Sequence, residues 1–185
     1  MLGLPYTVLH PGNNKNLSDE EAIRRISEAL NIVIQHTTGI KTKILLENTA
    51  GQGASIGRKF EHIRSIMEEV DPGRLGLCLD TCHAIAAGYD IRTQTGLEDT
   101  LSIIDNLIGI DNLKVFHFND SKGDFGSRLD RHEHIGKGKI GLLPFEYIIN
   151  HFPMHPKILE THGEDDMDIK NVEVLKSTGK KFSII

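Results

Sequence analysis

The sequence predicts an α/β protein built on a parallel sheet with crossover helices, as in (β/α) barrels. Three observations support this fold class. Short apolar runs typical of strands alternate five times with apolar residues at helical spacing. No β-hairpin signal separates consecutive strands, so each strand needs a crossover connection to the next. Each strand also leads into a residue that can bind a metal, and catalytic groups of barrels lie at such strand ends.

The elements follow one another in a regular order. We predict strands at residues 5–12, 43–47, 74–80, 113–119 and 157–163. We predict helices at residues 19–36, 60–70, 97–108, 144–149 and 168–179. Ser18 and Glu21 form a capping box before the first helix. In the third strand Leu75, Leu77 and Leu79 share one side, which predicts a face turned to helices.

Length and composition favour one soluble, globular domain covering residues 1–185. No apolar run approaches the roughly 18 residues of a membrane span, and the first residues carry no secretory signal. Cys78 and Cys82 are too few for a disulfide framework, which is typical of a reducing compartment. We therefore expect a cytoplasmic protein without a membrane partner.

The net charge of -5 argues against a broadly basic nucleic-acid-binding protein. Three bound divalent cations would more than offset that charge and would concentrate positive charge at one place. An acidic composition therefore does not exclude a phosphodiester substrate.

Residues with metal-binding side chains end all five predicted strands: His10, Glu47, Asp80, His117 and Glu160. In a barrel these positions point together at the carboxyl-terminal mouth. His83 lies on the turn after the third strand, and Asp130 and His132 lie in the loop after the fourth. Imidazole mixed with carboxylate suits zinc first and manganese second. These ligands are enough for more than one ion, and a bridged pair of ions is a common device for attacking a phosphodiester.

Other groups have a weaker case. Cys78 is predicted to be a buried thiol rather than a ligand. Gly51 and Gly53 in the AGQG stretch predict a tight turn, because no GK[ST] follows as in a phosphate-binding loop. His134 is expected on the surface. The basic residues of the long loop could be solvated or could contact phosphate: Lys122, Arg128, Arg131, Lys137 and Lys139.

Four motifs carry a resemblance that covers essentially the whole chain: LENTAGQG, LCLDTCHAIAAGYDIR, HFNDSKGDFGSRLDRHEHIGKG and ILET. They closely resemble the endonuclease IV family of apurinic/apyrimidinic (AP) endonucleases. The resemblance implies a TIM-type (β/α)8 barrel with three zinc ions. It also implies base excision repair, in which double-stranded DNA is incised 5′ to abasic sites to give a 3′-hydroxyl and a 5′-deoxyribose phosphate. The full-length form would be a monomer.

The resemblance also implies roles for single residues. Glu47 would bridge the first two zincs, and His10 would help to hold the first. Asp80, His117 and Glu160 would hold the second zinc, and His83, Asp130 and His132 would hold the third, with manganese an alternative to zinc in one position. Glu47 and Glu160 would be the catalytic carboxylates, acting through a hydroxide that attacks phosphorus.

The chain departs from the family in one respect. Members have eight strands, whereas this sequence starts at the strand of VLHPG. The resemblance therefore implies a partial TIM barrel containing strands four to eight, without the first three βα units. The first zinc would then keep only His10 and Glu47, so we expect impaired activity. The strands of His10 and Glu160 would be unpaired sheet edges.

Two other functions stay open at this point. A metal-dependent sugar isomerase or epimerase on a related barrel would use similar strand-end ligands but has no evident need for the Asp130-Arg131-His132 loop. An inactive fragment that binds metal or DNA is the non-enzymatic alternative. The number of bound zinc ions distinguishes the two enzymes, since three favour the nuclease and one or two the isomerase.

Overall fold

The computed structural model describes residues 3–161, 163 and 166–179. Strands and helices alternate along the chain as the apolar spacing predicts. The strands are β1 (Tyr6–Leu9), β2 (Gly12–Asn13), β3 (Lys43–Glu47), β4 (Ser55–Ile56), β5 (Leu75–Asp80), β6 (Leu113–His117), β7 (Asp120–Ser121), β8 (His132–Glu133) and β9 (Lys157–Ile158). The helices are α1 (Asp19–His36), α2 (Phe60–Glu69), α3 (Thr81–Ala87), α4 (Gln94–Ile108), α5 (Leu143–His151) and α6 (Met167–Gly179).

The main sheet has five parallel strands in the order β1-β3-β5-β6-β9. Each strand pairs with the next strand of the alternating pattern, as expected when helices make the crossovers. The predicted parallel sheet is therefore confirmed. Strands β1 and β9, which lead to His10 and Glu160, are its two edges. We call the carboxyl-terminal edge of this sheet the mouth.

The two faces of the sheet pack differently. Leu75, Leu77 and Leu79 belong to the large cluster that the sheet forms with the helices, which confirms the predicted helix-facing side. On the opposite face Cys78 packs in a small cluster with neighbours from the adjacent strands. Space there is tight, because a Cβ on Gly76 would lie 2.7 Å from a methyl carbon of Leu45. The same Cβ would lie 3.2 Å from the Asn112 carbonyl oxygen, so any larger residue at that position requires its neighbours to shift.

Several features of the fold differ from the prediction, including a first strand that ends at Leu9 rather than Gly12 and an antiparallel pair of β2 with β4 that the sequence does not predict. The sequence predicts a simple turn after Asp80, whereas the chain forms helix α3, which Asp80 caps by accepting the His83 N–H and which ends at Gly88 with φ +104°. Its first six residues are buried, so no amphipathic pattern marks it. Strands β7 and β8 form an antiparallel pair around residues 122–131, although no hairpin was predicted. Strand β9 is shorter than predicted because it pairs only with Phe116 and His117.

No helix in the described part of the chain is long and apolar enough to cross a membrane.

Asp120, in β7, fixes the loop that follows β8. Its buried carboxylate accepts backbone N–H groups at 2.8–3.1 Å from Ser121, Gly136, Gly138 and Ile140. A carboxylate surrounded by backbone donors is strongly held. A Cβ on Gly138 would lie 2.4 Å from this carboxylate, so only glycine allows the approach.

We predict that Asp120→Asn lowers the free energy of unfolding by about 3 kcal/mol, because the amide nitrogen faces N–H donors that then lack an acceptor. Urea denaturation measures the change. Asp124→Asn is the matched control, since the Asp124 side chain is 84% exposed in the same segment, and it should change stability by less than about 0.5 kcal/mol. Equal stability of the two variants would contradict this role for Asp120.

Candidate metal centre

The predicted strand-end residues meet at the mouth. Glu47, Asp80 and His117 are the last residues of β3, β5 and β6. His10 directly follows β1, and Glu160 lies two residues beyond β9. Parallel strands bring their carboxyl ends to one edge, which is why residues so distant in sequence become neighbours.

Glu47 lies at the centre of this group, and its carboxylate is shared by three histidines. Oε2 lies 3.2 Å from His10 Nε2. Oε1 lies 3.0 Å from His117 Nδ1 and 3.2 Å from His83 Nδ1. The two oxygens therefore face different imidazoles, which is the disposition that a carboxylate bridging two cations requires.

A four-residue group surrounds the His117 side of Glu47. Ligand atoms of Glu47, Asp80, His117 and Glu160 all lie within 4.8 Å of one another. His117 Nδ1 is 2.9 Å from Glu160 Oε2. These are the residues that the sequence assigns to the second ion, and the structure brings all four together.

A third group forms where α3 meets the loop 122–131. Asp130 Oδ1 lies 3.2 Å from His83 Nε2 and 3.4 Å from His132 Nε2. His83 and His132 also form a compact group with Asp80, and His83 forms another with His10 and Glu47. The predicted trio of His83, Asp130 and His132 is therefore brought together. Neighbouring groups share residues, since Asp80 also belongs to the group around His117 and His83 also belongs to the group around His10.

The imidazoles of the third group are oriented for binding a cation. His83 Nδ1 lies 2.9 Å from the Asn48 carbonyl, and His132 Nδ1 lies 3.2 Å from the Glu160 carbonyl. A backbone carbonyl that accepts a hydrogen bond from Nδ1 fixes each ring and directs Nε2 into the cluster as the ligand atom. Both Nε2 atoms are buried without a hydrogen-bond partner. The 3.2 Å approach of Asp130 to His83 is thus a short charge contact without hydrogen-bond geometry.

The electrostatics follow from the crowding of acids and imidazoles. Burial alone would raise the pKa of the Glu47 carboxyl, but hydrogen bonds with His10, His117 and His83 hold that pKa well below its usual range. Burial likewise lowers the pKa of His83, but the Asp80 charge and the contacts with Asp130 and Glu47 outweigh it, so the pKa is raised. In the metal-free protein the cluster is therefore an ion-pair network.

Two asparagines support the ligands. The Asn48 side chain accepts the Asp80 N–H at 2.7 Å and donates to the Asp80 carbonyl. Asn119 donates to Asp80 Oδ2 at 2.6 Å and accepts the Glu160 N–H at 2.9 Å. Neither asparagine is among the predicted site residues, although each lies within two residues of a strand-end ligand.

The remaining candidates behave largely as predicted. Cys78 is a buried free thiol whose pKa burial raises to about 11, which opposes the thiolate form that metals prefer. Its sulfur nevertheless lies within reach of Glu47 and His117. His134, expected on the surface, is half-buried against Asn171. The basic residues of the long loop are all exposed: Lys122, Arg128, Arg131, Lys137 and Lys139.

Comparison with known proteins connects this geometry to a family. Residues 1–178 match the family model described as xylose isomerase-like TIM barrel. A protein named probable endonuclease 4 from Citrifermentans bemidjiense is 46% identical over 181 residues, which cover 95% of this chain and 64% of that protein. The chain therefore spans just under two thirds of this relative.

Solved structures agree with the sequence match. The crystal structure of endonuclease IV from Thermus thermophilus has a TM-score of 0.84 at 32% identity, covering 97% of this chain and 63% of that one. A D-tagatose 3-epimerase-like protein has a TM-score of 0.74 at 22% identity, covering 95% and 62%. The second likeness shows a common fold alone.

We predict that zinc binding releases protons and strengthens as pH rises from about 6 to about 8. The pKa values of His83 and His117 are raised in the metal-free cluster, so a cation must displace about one proton per imidazole. Calorimetric titration in two buffers with different ionisation enthalpies measures this release. A binding enthalpy independent of buffer, with an affinity independent of pH, would contradict the described ion-pair network.

Proposed function

Because the chain belongs to the xylose isomerase-like TIM barrel family and to its endonuclease IV group, we propose that it carries the metal centre of a DNA repair endonuclease. The proposed reaction is hydrolysis of the phosphodiester 5′ to an abasic site in double-stranded DNA. The products are a 3′-hydroxyl and a 5′-deoxyribose phosphate. The observation that carries the proposal is the Glu47 carboxylate, whose two oxygens face His10 on one side and His117 on the other.

The residues at the mouth fit zinc. The donor set mixes imidazole nitrogen with carboxylate oxygen, and two buried Nε2 atoms lack partners. Glu47, Asp80, His117 and Glu160 would hold one ion, and His83, Asp130 and His132 another, with manganese as the alternative in one position. Bound zinc would supply an activated water and would stabilise negative charge at phosphorus.

The chain's own side chains have complementary roles in this proposal. Glu47 orders His10, His83 and His117 around one carboxylate. Asn119 keeps the Asp80 carboxylate in place and fixes the backbone of Glu160. The basic side chains beside the mouth would contact phosphates of the DNA backbone and hold the duplex in register.

We further propose that residues 1–185 form a partial barrel domain whose five parallel strands correspond to strands four to eight of the complete fold. His10 and Glu47 would serve the first ion, and His83 lies in the same group. The protein would act as a monomer in the cytoplasm, a reducing compartment that keeps its two thiols free.

A sugar isomerase or epimerase is the competing function, and the epimerase-like structure shows that the fold permits it. Such an enzyme needs one cation or a close pair at the strand ends. It has no evident use for Asp130 and His132, which converge with His83 at 3.2–3.4 Å. The third group therefore favours the nuclease.

We predict that the zinc-loaded chain incises a duplex carrying a single tetrahydrofuran abasic analogue on its 5′ side, and that chelation abolishes the reaction. Denaturing electrophoresis detects the cut, and extension by a polymerase identifies the 3′-hydroxyl. An undamaged duplex of the same sequence is the control. Absence of incision while zinc occupies both complete groups, or conversion of a ketose instead, would overturn the proposed function.

We predict that Glu47→Gln lowers zinc affinity at least about 10-fold, because the neutral amide loses the charge that faces three imidazoles. Zinc content after dialysis, measured by plasma mass spectrometry, reports the loss. Glu68→Gln is the matched control, since Glu68 is exposed on α2 and contacts Arg64 one turn away. Unchanged zinc content in Glu47→Gln would be inconsistent with a central carboxylate.

A further inference from the structure

The AGQG stretch after β3 reaches across the mouth to the loop that carries Asp130. Oε1 of Gln52 accepts the Asp130 backbone N–H at 3.0 Å and lies 3.4 Å from the Arg131 guanidinium. One side-chain oxygen thus contacts two consecutive residues of the other loop. Gln52 and Asp130 are 78 positions apart in the sequence.

Asp130 needs such an anchor more than its two neighbours do. The His83 side chain is 2% exposed and that of His132 is 16% exposed, and a backbone carbonyl lies at Nδ1 of each ring. The Asp130 side chain is 40% exposed, so packing alone leaves it several orientations. Its direction therefore depends on how the backbone of the segment is held.

Hydrogen bonds between backbone groups hold the segment on either side of Asp130, whereas the Asp130 N–H donates to a side chain. The Arg128 N–H donates to the Ala86 carbonyl of α3, and the Lys122 N–H donates to the Arg131 carbonyl. Within the described residues, Gln52 is the acceptor for the N–H of Asp130. The amide oxygen of Gln52 therefore holds the backbone at the residue that carries the carboxylate.

The flanking glycines explain how Gln52 reaches this place. Gly51 and Gly53 have φ values of +84° and +64°, which glycine adopts without strain. A Cβ on Gly51 would approach the side chains of Arg58 and Arg128 at 3.2 and 3.5 Å. The turn therefore lies directly against the Asp130 loop, and Gln52 is its outward side chain.

We propose that Gln52 is a positioning residue that directs the Asp130 carboxylate toward His83 and His132. This role rests on the proposed third metal position. It gives the AGQG stretch a function that does not involve phosphate binding. Preorganisation of an exposed ligand by a neighbouring hydrogen bond strengthens cation binding because less freedom is lost when the ion arrives.

Two substitutions test the proposal with little risk to the fold, because Gln52 is exposed. Gln52→Met keeps the length of the side chain without an acceptor, whereas Gln52→Glu keeps an acceptor oxygen. Gln94→Met is the control, since Gln94 is an exposed glutamine on α4 that donates to Glu98 one turn away. The first readout is hydrogen exchange of residues 127–132 in the metal-free protein. The second is a titration with cobalt followed by visible absorption.

We expect Gln52→Met to accelerate amide exchange at residues 127–132 and to lower the affinity of the cobalt site formed by His83, Asp130 and His132 about 10-fold. Gln52→Glu should keep the wild-type exchange rate and cobalt affinity, and Gln94→Met should change neither. Wild-type exchange and affinity in Gln52→Met would overturn the positioning role. A His83→Gln variant separates this result from failure of the proposed function, because undiminished cobalt binding there would overturn the third position itself.

Discussion

A buried carboxylate shared by three imidazoles is the interaction on which the mouth of this sheet depends. Glu47 receives His10 from the end of β1, His83 from α3 and His117 from β6. Burying one charge is costly unless partners surround it, and each partner here comes from a different element. The cluster therefore stabilises one register of the strands, and the sheet in turn fixes the spacing of the ligands.

Most of the fold follows from local patterns in the sequence. The apolar runs and helical spacings identify the five parallel strands and their crossover helices, because burial of one face dictates each pattern. Helix α3 escapes such reasoning because it is buried along nearly its whole length and only seven residues long. The pair β7 and β8 escapes it too, since strands of two residues depend on contacts distant in sequence rather than on their own composition.

The ligands of the candidate site can be predicted from the sequence wherever they end a recognisable strand. Glu47, Asp80 and His117 are recognisable because each ends an apolar run, and parallel strands must bring such residues together. The amides that orient them are harder to identify. Asn119 looks like the end of a strand and Gln52 like an ordinary loop residue, and only the folded chain shows that one contacts Asp80 and the other Asp130. Supporting hydrogen bonds between distant loops leave no periodic trace in a sequence.

We propose that the strand-end cluster binds more than one cation and that Glu47 organises it. Anomalous diffraction at the zinc edge from crystals of the zinc-loaded chain tests it most directly. We expect one peak among Glu47, Asp80, His117 and Glu160, and a second among His83, Asp130 and His132. Peaks away from these groups, or a single ion that no oxygen of Glu47 contacts, would contradict it.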